Sequence, residues 1–221
     1  MDNAQKIIGY TYNDLSLLRE SLTHSSFVNE NGGRSYERLE YLGDALVDFI
    51  VGEYFFTNFP NQSEGALTNL RKMAVCEEEL CSVKCMQELA PHIICGKGTS
   101  INDKIKADVF EAITASIYLD GGLAEARKFV IRNVDLEPES LKERHEDYKS
   151  ILTEVARKNK KSISFEVIST FGPDHEKKYE VGVIIDGKRI SSAISIGKKR
   201  AEQISAKIAL SKLNGENWPT N

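Results

Sequence analysis

The sequence predicts an all-α domain followed by a small α+β domain of order α-β-β-β-α. Three observations carry this expectation. The first 132 residues run as helical segments joined by short loops. After residue 160 come three strand-like runs, with helical segments before and after them. The charge also changes sign: residues 147–221 hold 14 Lys+Arg against 9 Asp+Glu, and residues 1–146 hold 15 against 24. The net −4 of the 221 residues hides this asymmetry, in which the basic part suits a polyanionic partner. The expected boundaries are a first domain at 1–134, a linker at 135–146, a second domain at 147–214 and a tail at 215–221.

Taken in order, "YNDLSLLRESLTHSS" opens with Asn13 or Asp14 as a cap and carries leucines at helical spacing. "NENGGRS" interrupts it. The run "ERLEYLGDALVDF" (37–49) continues through "IVGEYFFTNFP" and ends before Pro60. "EGALTNLRKMAVCEEELCSVKCMQEL" reads as helical with room for one break, and "CGKGTSINDK" as a loop. "KADVFEAITASIYLD" is an apolar helix closed by Gly121 and Gly122, and "LAEARKFVIRNV" is another helix. "DLEPESLKERHE" is polar, contains Pro138 and lacks an apolar face, so it reads as the linker, with room for a helical turn. "DYKSILTEVARKN" is an amphipathic helix. The runs "ISFEVIST", "KKYEVGVIID" and "KRISSAISI" read as strands, with Asp186-Gly187 a strong hairpin signal between the last two. "GKKRAEQISAKIALSKL" closes the domain as a helix.

Some function classes are set aside early. The N-terminus has no basic start followed by an apolar run, so a signal peptide is not expected. No apolar stretch approaches the roughly 18 residues that span a membrane. Cys76, Cys81, Cys85 and Cys95 match no CxxC zinc spacing and are expected as reduced thiols in a cytoplasmic protein.

The run at 37–49 places Glu37, Glu40, Asp44 and Asp48 within about 80° of one another on a helix. Leu39, Leu42, Leu46, Phe49 and Ile50 fill the opposite side. Glu40 and Asp44 are one turn apart, about 6 Å along the axis. Alone, this helix is read equally well as a solvated acidic face. A second helix adds weight to the other reading. Asp108 and Glu111 share a face of a segment that is apolar almost all round, with Val109, Phe110, Ile113, Ile117 and Leu119. Two carboxylates in such a setting need a cation, either a lysine such as Lys104 or a metal. Two helices offering oxygen ligands three or four residues apart suit one hard cation, Mg²⁺ or Mn²⁺. Such sites activate water against phosphate esters. A basic domain alongside points to a divalent-metal hydrolase acting on nucleic acid, DNA and RNA both remaining open.

These residues resemble bacterial ribonuclease III. "ERLEYLGDAL" is similar to the family's signature segment, and "SLTHSS", "GALTNLRK" and "ADVFEAITASIYLDGG" also follow its pattern. "DYKSILTE", "GPDHEKKYEV" and "KKRAEQISAKIAL" resemble its double-stranded-RNA-binding domain. The resemblance spans residues 8–213. It implies an all-α endonuclease domain followed by a double-stranded-RNA-binding domain, in a homodimer that cuts both strands of duplex RNA with Mg²⁺. The implied products carry 5′-phosphate and 3′-hydroxyl ends with short 3′ overhangs. The implied substrates are ribosomal RNA precursors and structured messenger RNAs, with no membrane partner and no small-molecule substrate. It further implies that Glu40, Asp108 and Glu111 ligate the metal, with Asp44 and Glu111 catalytic, and that Glu37 and Glu64 are supporting acids. Tyr41 matches an aromatic position packed into the partner subunit. His24 falls in the "THxS" segment, where a structural hydrogen bond is expected rather than catalysis, and Asp48 is expected as plain surface.

Duplex RNA presents a wide, shallow minor groove and phosphates lining a narrow major groove, so a small domain can read its shape. Thr153 and Arg157, one helical turn apart, are expected at one minor groove and His175 at the next. Lys198 and Lys199, at a helix start, are expected on phosphate. The chain departs from the family pattern at several positions. Gly197 stands where serine is usual, Thr153 and Arg157 where glutamine is common, and Lys104 and Lys106 where neutral residues are common. Lys104 has two open roles, contact with the scissile phosphate or pairing with a catalytic acid. The rival reading is a non-catalytic dimeric binder of double-stranded RNA. That reading expects the loss of at least one of Glu40, Asp44, Asp108 and Glu111, and the chain keeps all four.

Overall fold

The structure is a computed structural model that describes residues 1–173 and 177–213. The chain divides into two compact units, Met1–His145 and a second beginning at Glu146. No helix among the described residues is long and apolar enough to cross a membrane.

The first unit is all-helical: α1 (Asp2–Ile8), α2 (Leu15–Ser21), α3 (Ser25–Asn31), α4 (Glu37–Asn58), α5 (Glu64–Ala74), α6 (Glu77–Ser82), α7 (Lys84–Leu89), α8 (Asp103–Gly121), α9 (Leu123–Asn133) and α10 (Pro138–His145). Of the two candidate caps for the second helix, Asp14 does the work, accepting from the Ser16 N–H at 2.8 Å. The segment expected as one helix from Tyr12 to Ser26 is two. It breaks at Thr23, whose strand-like bridge to Ile94 takes the backbone out of helical pairing. The segment 64–89 breaks twice rather than once, at Val75–Cys76 and at Val83.

The core forms around α8, which packs on α2, α4, α6 and α9. Asn102 starts α8 by accepting from the Ile105 N–H at 2.9 Å. Ten of its residues are buried, among them Val109, Phe110, Ile113 and Ile117, each large side chain contributing about 1.5–3 kcal/mol on burial. Phe110 meets Phe129 of α9 with ring centroids 5.1 Å apart. Leu119, expected in this apolar shell, is exposed.

Residues 135–146, expected as a linker, hold α10, which lies on α5. Three apolar side chains suffice to hold it: Leu136, Pro138 and Leu141 are buried, Leu141 completely. Asp135 caps it, accepting from the Glu137 N–H at 2.9 Å and the Ser140 hydroxyl at 2.8 Å. All four cysteines are free thiols. Burial pushes each of them up, Cys85 to about 12.

The second unit has the order α11 (Tyr148–Lys158), β1 (Ile163–Phe171), β2 (Lys178–Ile185), β3 (Lys188–Ile196), α12 (Lys198–Leu213). The strands form one antiparallel sheet in the order β1-β2-β3. Asp186 and Gly187 make the hairpin turn with φ of 48° and 75°, as a type I′ turn requires. The two helices pack together, and α12 also covers β2 and β3. Leu152, Val183, Ile185, Ala206, Ala209 and Leu213 form this unit's own core. Asp147 ties the helices together, capping α11 at Ser150 and accepting from Gln203 Nε2 of α12 at 2.8 Å.

Candidate functional site

The four acids of the resemblance come from two adjoining helices, α4 and α8. A glycine permits their approach. A Cβ at Gly43 would collide with the Glu111 backbone carbonyl, so α4 and α8 touch main chain to main chain at this point. Gly43 lies between Glu40 and Asp44, and its contact is Glu111 itself. The closest approach of the two helices is thus centred on the acids.

Electrostatics report the same gathering. Burial pushes the Glu111 carboxyl up to about 8, and the charges of Asp44, Glu40 and Asp108 push in the same direction. Glu40 is also raised, first by burial and then by Asp108, with Lys104 opposing. Lys104 Nζ donates to both Asp108 oxygens, at 2.9 and 2.8 Å. Of its two open roles, pairing with the acid is the one seen here, and the pairing raises the Lys104 ammonium. The Tyr36 hydroxyl donates to Asp108 Oδ2 at 3.4 Å. Among the described residues, no three of these carboxylates bring oxygens within 4.8 Å of one another. The donors are all carboxylate oxygens, held close enough for their charges to raise the Glu40 and Glu111 carboxyls. That is the donor set and the charge excess that suit a hard divalent cation.

The remaining acids separate. Glu37 is exposed in the first turn of α4, accepts from the Ser35 hydroxyl at 3.1 Å, and is among the charges that Glu40 feels. Glu64 starts α5, accepts from the Thr68 hydroxyl at 3.0 Å and borders an open groove of roughly 420 Å³ with Gly52, Phe56, Leu67 and Arg71. Asp48, expected as plain surface, faces Arg71 of α5 at 3.7 Å. His24 caps α3, its Nδ1 accepting from the Ser26 N–H at 3.1 Å, and its ring meets Tyr36 edge-on.

Tyr41 points outward and is 84% exposed. Phe56 and Phe49 follow it along the same side of α4, 72% and 51% exposed. Phe49 was expected on the apolar side with Ile50, but α4 buries a narrower stripe of Leu39, Val47, Ile50, Val51 and Phe55. The sequence signal for this outward stripe was present, as aromatics at positions 41, 49 and 56, but nothing in it told outward from inward.

In the second unit, Thr153 and Arg157 are exposed on one face of α11. The Thr153 hydroxyl donates to the Lys149 carbonyl at 2.7 Å, which leaves its lone pairs outward. Lys198 and Lys199 are exposed in the first turn of α12, Lys198 within 3.9 Å of Glu202. Gly197 has a φ of 79°, a left-handed conformation that strains any residue with a Cβ, which accounts for glycine just before the two lysines. His175 lies outside the described residues.

Comparison with known proteins accords with this geometry. Residues 14–136 match the "Ribonuclease-III-like" family model, and residues 148–213 match the "Double-stranded RNA binding motif". "Ribonuclease 3" of Campylobacter curvus is 34% identical over 221 residues, covering 96% of this chain and 98% of the relative. "Ribonuclease 3" of Carboxydothermus hydrogenoformans is 36% identical over 223 residues, covering 96% of this chain and 95% of the relative. A solved nuclease domain of ribonuclease III from Campylobacter jejuni superposes with a TM-score of 0.51 at 32% identity, over 58% of this chain and 92% of that one. That structure is described as flexible in a region involved in dimer formation. With an acid-lined helical nuclease domain ahead of a duplex-binding α-β-β-β-α domain, the chain belongs to the ribonuclease III family, metal-dependent endoribonucleases that act on double-stranded RNA.

Proposed function

We propose that the chain hydrolyses double-stranded RNA with Mg²⁺ held by Glu40, Asp108 and Glu111, and that Asp44 orients the attacking water. The observation that carries this is Glu111, half-buried on α8 and pushed up to about 8 beside three further carboxylates. A group so raised takes up a cation readily, and an ion of two positive charges answers the repulsion better than a proton on one acid. When bound, the ion supplies Lewis acidity at the phosphate and lowers the pKa of water. The chain's own residues do the rest. Asp44, exposed at the mouth of the α4–α8 seam, accepts a hydrogen bond from the water. As water adds to phosphorus, the bond to the 3′ oxygen breaks and that oxygen takes up a proton. The products are a 5′-phosphate and a 3′-hydroxyl. Lys104, now on Asp108, would yield that carboxylate to a bound ion, and its ammonium would then be free for the phosphate. Mn²⁺ has the same taste for oxygen ligands and substitutes.

Duplex RNA is held by Thr153 and Arg157 on α11, Lys198 and Lys199 at the start of α12, and His175. Glu37 and Glu64 support the acid centre. The exposed stripe of Tyr41, Phe49 and Phe56 is read as a homodimer face, with Tyr41 entering the groove lined by Phe56 and Leu67 of the partner. Large exposed aromatics in a row favour this over plain surface. Two centres in one dimer would cut the two strands and leave short 3′ overhangs. Ribosomal RNA precursors and structured messenger RNAs, in the cytoplasm, are the substrates that go with this reading.

The deciding experiment incubates the protein with a long perfect RNA duplex, with Mg²⁺ or with chelator, beside Glu111→Gln. Cleavage is expected only in the native protein with metal. Cleavage that survives chelation or the substitution would sink the mechanism. Duplex binding without cleavage under every metal condition would favour the non-catalytic binder.

A further inference from the structure

We propose that Cys76, Glu78 and His145 form a Zn²⁺ site that clasps the end of α10 to the junction of α5 and α6. Cys76 immediately precedes α6, Glu78 is in its first turn, and His145 is the last residue of α10. One sulfur, one carboxylate oxygen and one imidazole nitrogen lie within 4.8 Å of one another. Cys76 Sγ stands 4.0 Å from His145 Nε2.

The geometry is near what zinc needs. With Zn–S about 2.3 Å and Zn–N about 2.0 Å, a tetrahedral angle puts sulfur and nitrogen about 3.5 Å apart, so the pair must close by about half an ångström. Cys76 and His145 are half-buried and Glu78 is exposed, which leaves a fourth position open to water. A thiolate, an imidazole and a carboxylate together select zinc over magnesium, so this site differs in kind from the all-oxygen acid seam.

Two existing contacts have to yield. The Cys76 thiol donates to the Met73 carbonyl at 3.3 Å, a bond lost with its proton. Glu79 Oε1 lies 2.9 Å from His145 Nε2. Arg144 donates to both Glu79 oxygens, at 2.8 and 2.9 Å, so Glu79 stays paired when the ring turns to the metal. On binding, the Cys76 thiol releases its proton to solvent as the Zn–S bond forms. The bond joins residues 69 apart in sequence. It pins α10 where the chain leaves the first unit, at a helix otherwise held by Leu136, Pro138, Leu141 and the Arg144–Glu79 pair.

The test uses metal-free full-length protein in excess Mg²⁺, which occupies carboxylate sites. Co²⁺ is titrated in and the near-ultraviolet thiolate-to-cobalt band recorded, then Zn²⁺ is added to displace it. One equivalent is expected to bind with the band present. The band should be lost in Cys76→Ser, and affinity should fall about tenfold or more in His145→Gln. In the unaltered protein, Zn²⁺ should slow alkylation of Cys76, located by mass spectrometry, a measurement that needs no variant to fold. The proposal is overturned by absence of the band at about 10 μM metal, by a band that persists in Cys76→Ser, or by Cys76 alkylation that ignores Zn²⁺.

Discussion

The two units handle charge in opposite ways. The first gathers like charges at a seam between two helices, where burial and neighbouring carboxylates, Asp108 among them, raise the Glu111 and Glu40 carboxyls. The second presents positive charges at an exposed helix start, where Lys198 and Lys199 lie open to solvent. Repulsion in a partly buried seam is strong and cooperative, so each member matters greatly and a cation is called for. Attraction at an exposed surface is screened and nearly additive, so each lysine matters modestly. In the proposed reading, chemistry belongs to the seam and grip to the surface.

The contrast can be broken most sharply at Glu111. Glu111→Gln should lower single-turnover cleavage about a thousandfold or more while duplex affinity stays within about twofold. A parallel loss of affinity would show that the seam also grips. Gly43→Ala comes next. Its Cβ meets the Glu111 carbonyl, and the forced separation of α4 and α8 should cost about 2–4 kcal/mol in denaturant unfolding. Stability close to that of the native protein would show that the helices part without penalty.

The seam should also be visible in pH. The Glu111 carboxyl is raised in the folded state from 4.5 to about 8. Between those values the folded protein holds a proton that the unfolded chain has released. Stability of the metal-free protein should therefore be fullest below pH 4.5 as far as this group is concerned, and fall as pH rises toward 8. Glu40 acts in the same direction. Melting curves recorded with and without Mg²⁺ would check this, the slope flattening when metal answers the repulsion.

At the surface, replacing both Lys198 and Lys199 by Ala should weaken duplex binding about tenfold and reduce the salt slope by about two, with cleavage at saturating RNA unchanged. Thr153→Ala is the smallest expected effect. Its hydroxyl proton is already engaged by the Lys149 carbonyl, so only its lone pairs are lost, about fivefold or less in affinity by titration.

Much of this was legible in the sequence because it is local. Helical periodicity, the Asp186-Gly187 turn and the i, i+3 or i+4 spacing of acids depend on neighbours within a turn or two. Misreadings arose where distant residues intervened. Thr23 breaks a helix because Ile94 lies beside it. The helical turn allowed in the linker grows into α10, Pro138–His145, because α5 offers Leu141 a place to bury. His175 lies outside the described residues, so its expected role at the duplex has no geometry here.

By itself, then, the sequence determined the helical and strand segments, the acid spacing and the division of charge between two domains, all properties of short stretches. Only the tertiary structure decided which of several equal-looking side chains meet. Glu40 turns toward Glu111 while Asp48, two turns on, turns toward Arg71. Tyr41 faces out and Ile50 faces in on one helix. Lys104 settles on Asp108, and Cys76 finds His145 across 69 residues. A helix offers several faces at once, and packing against a second element selects among them.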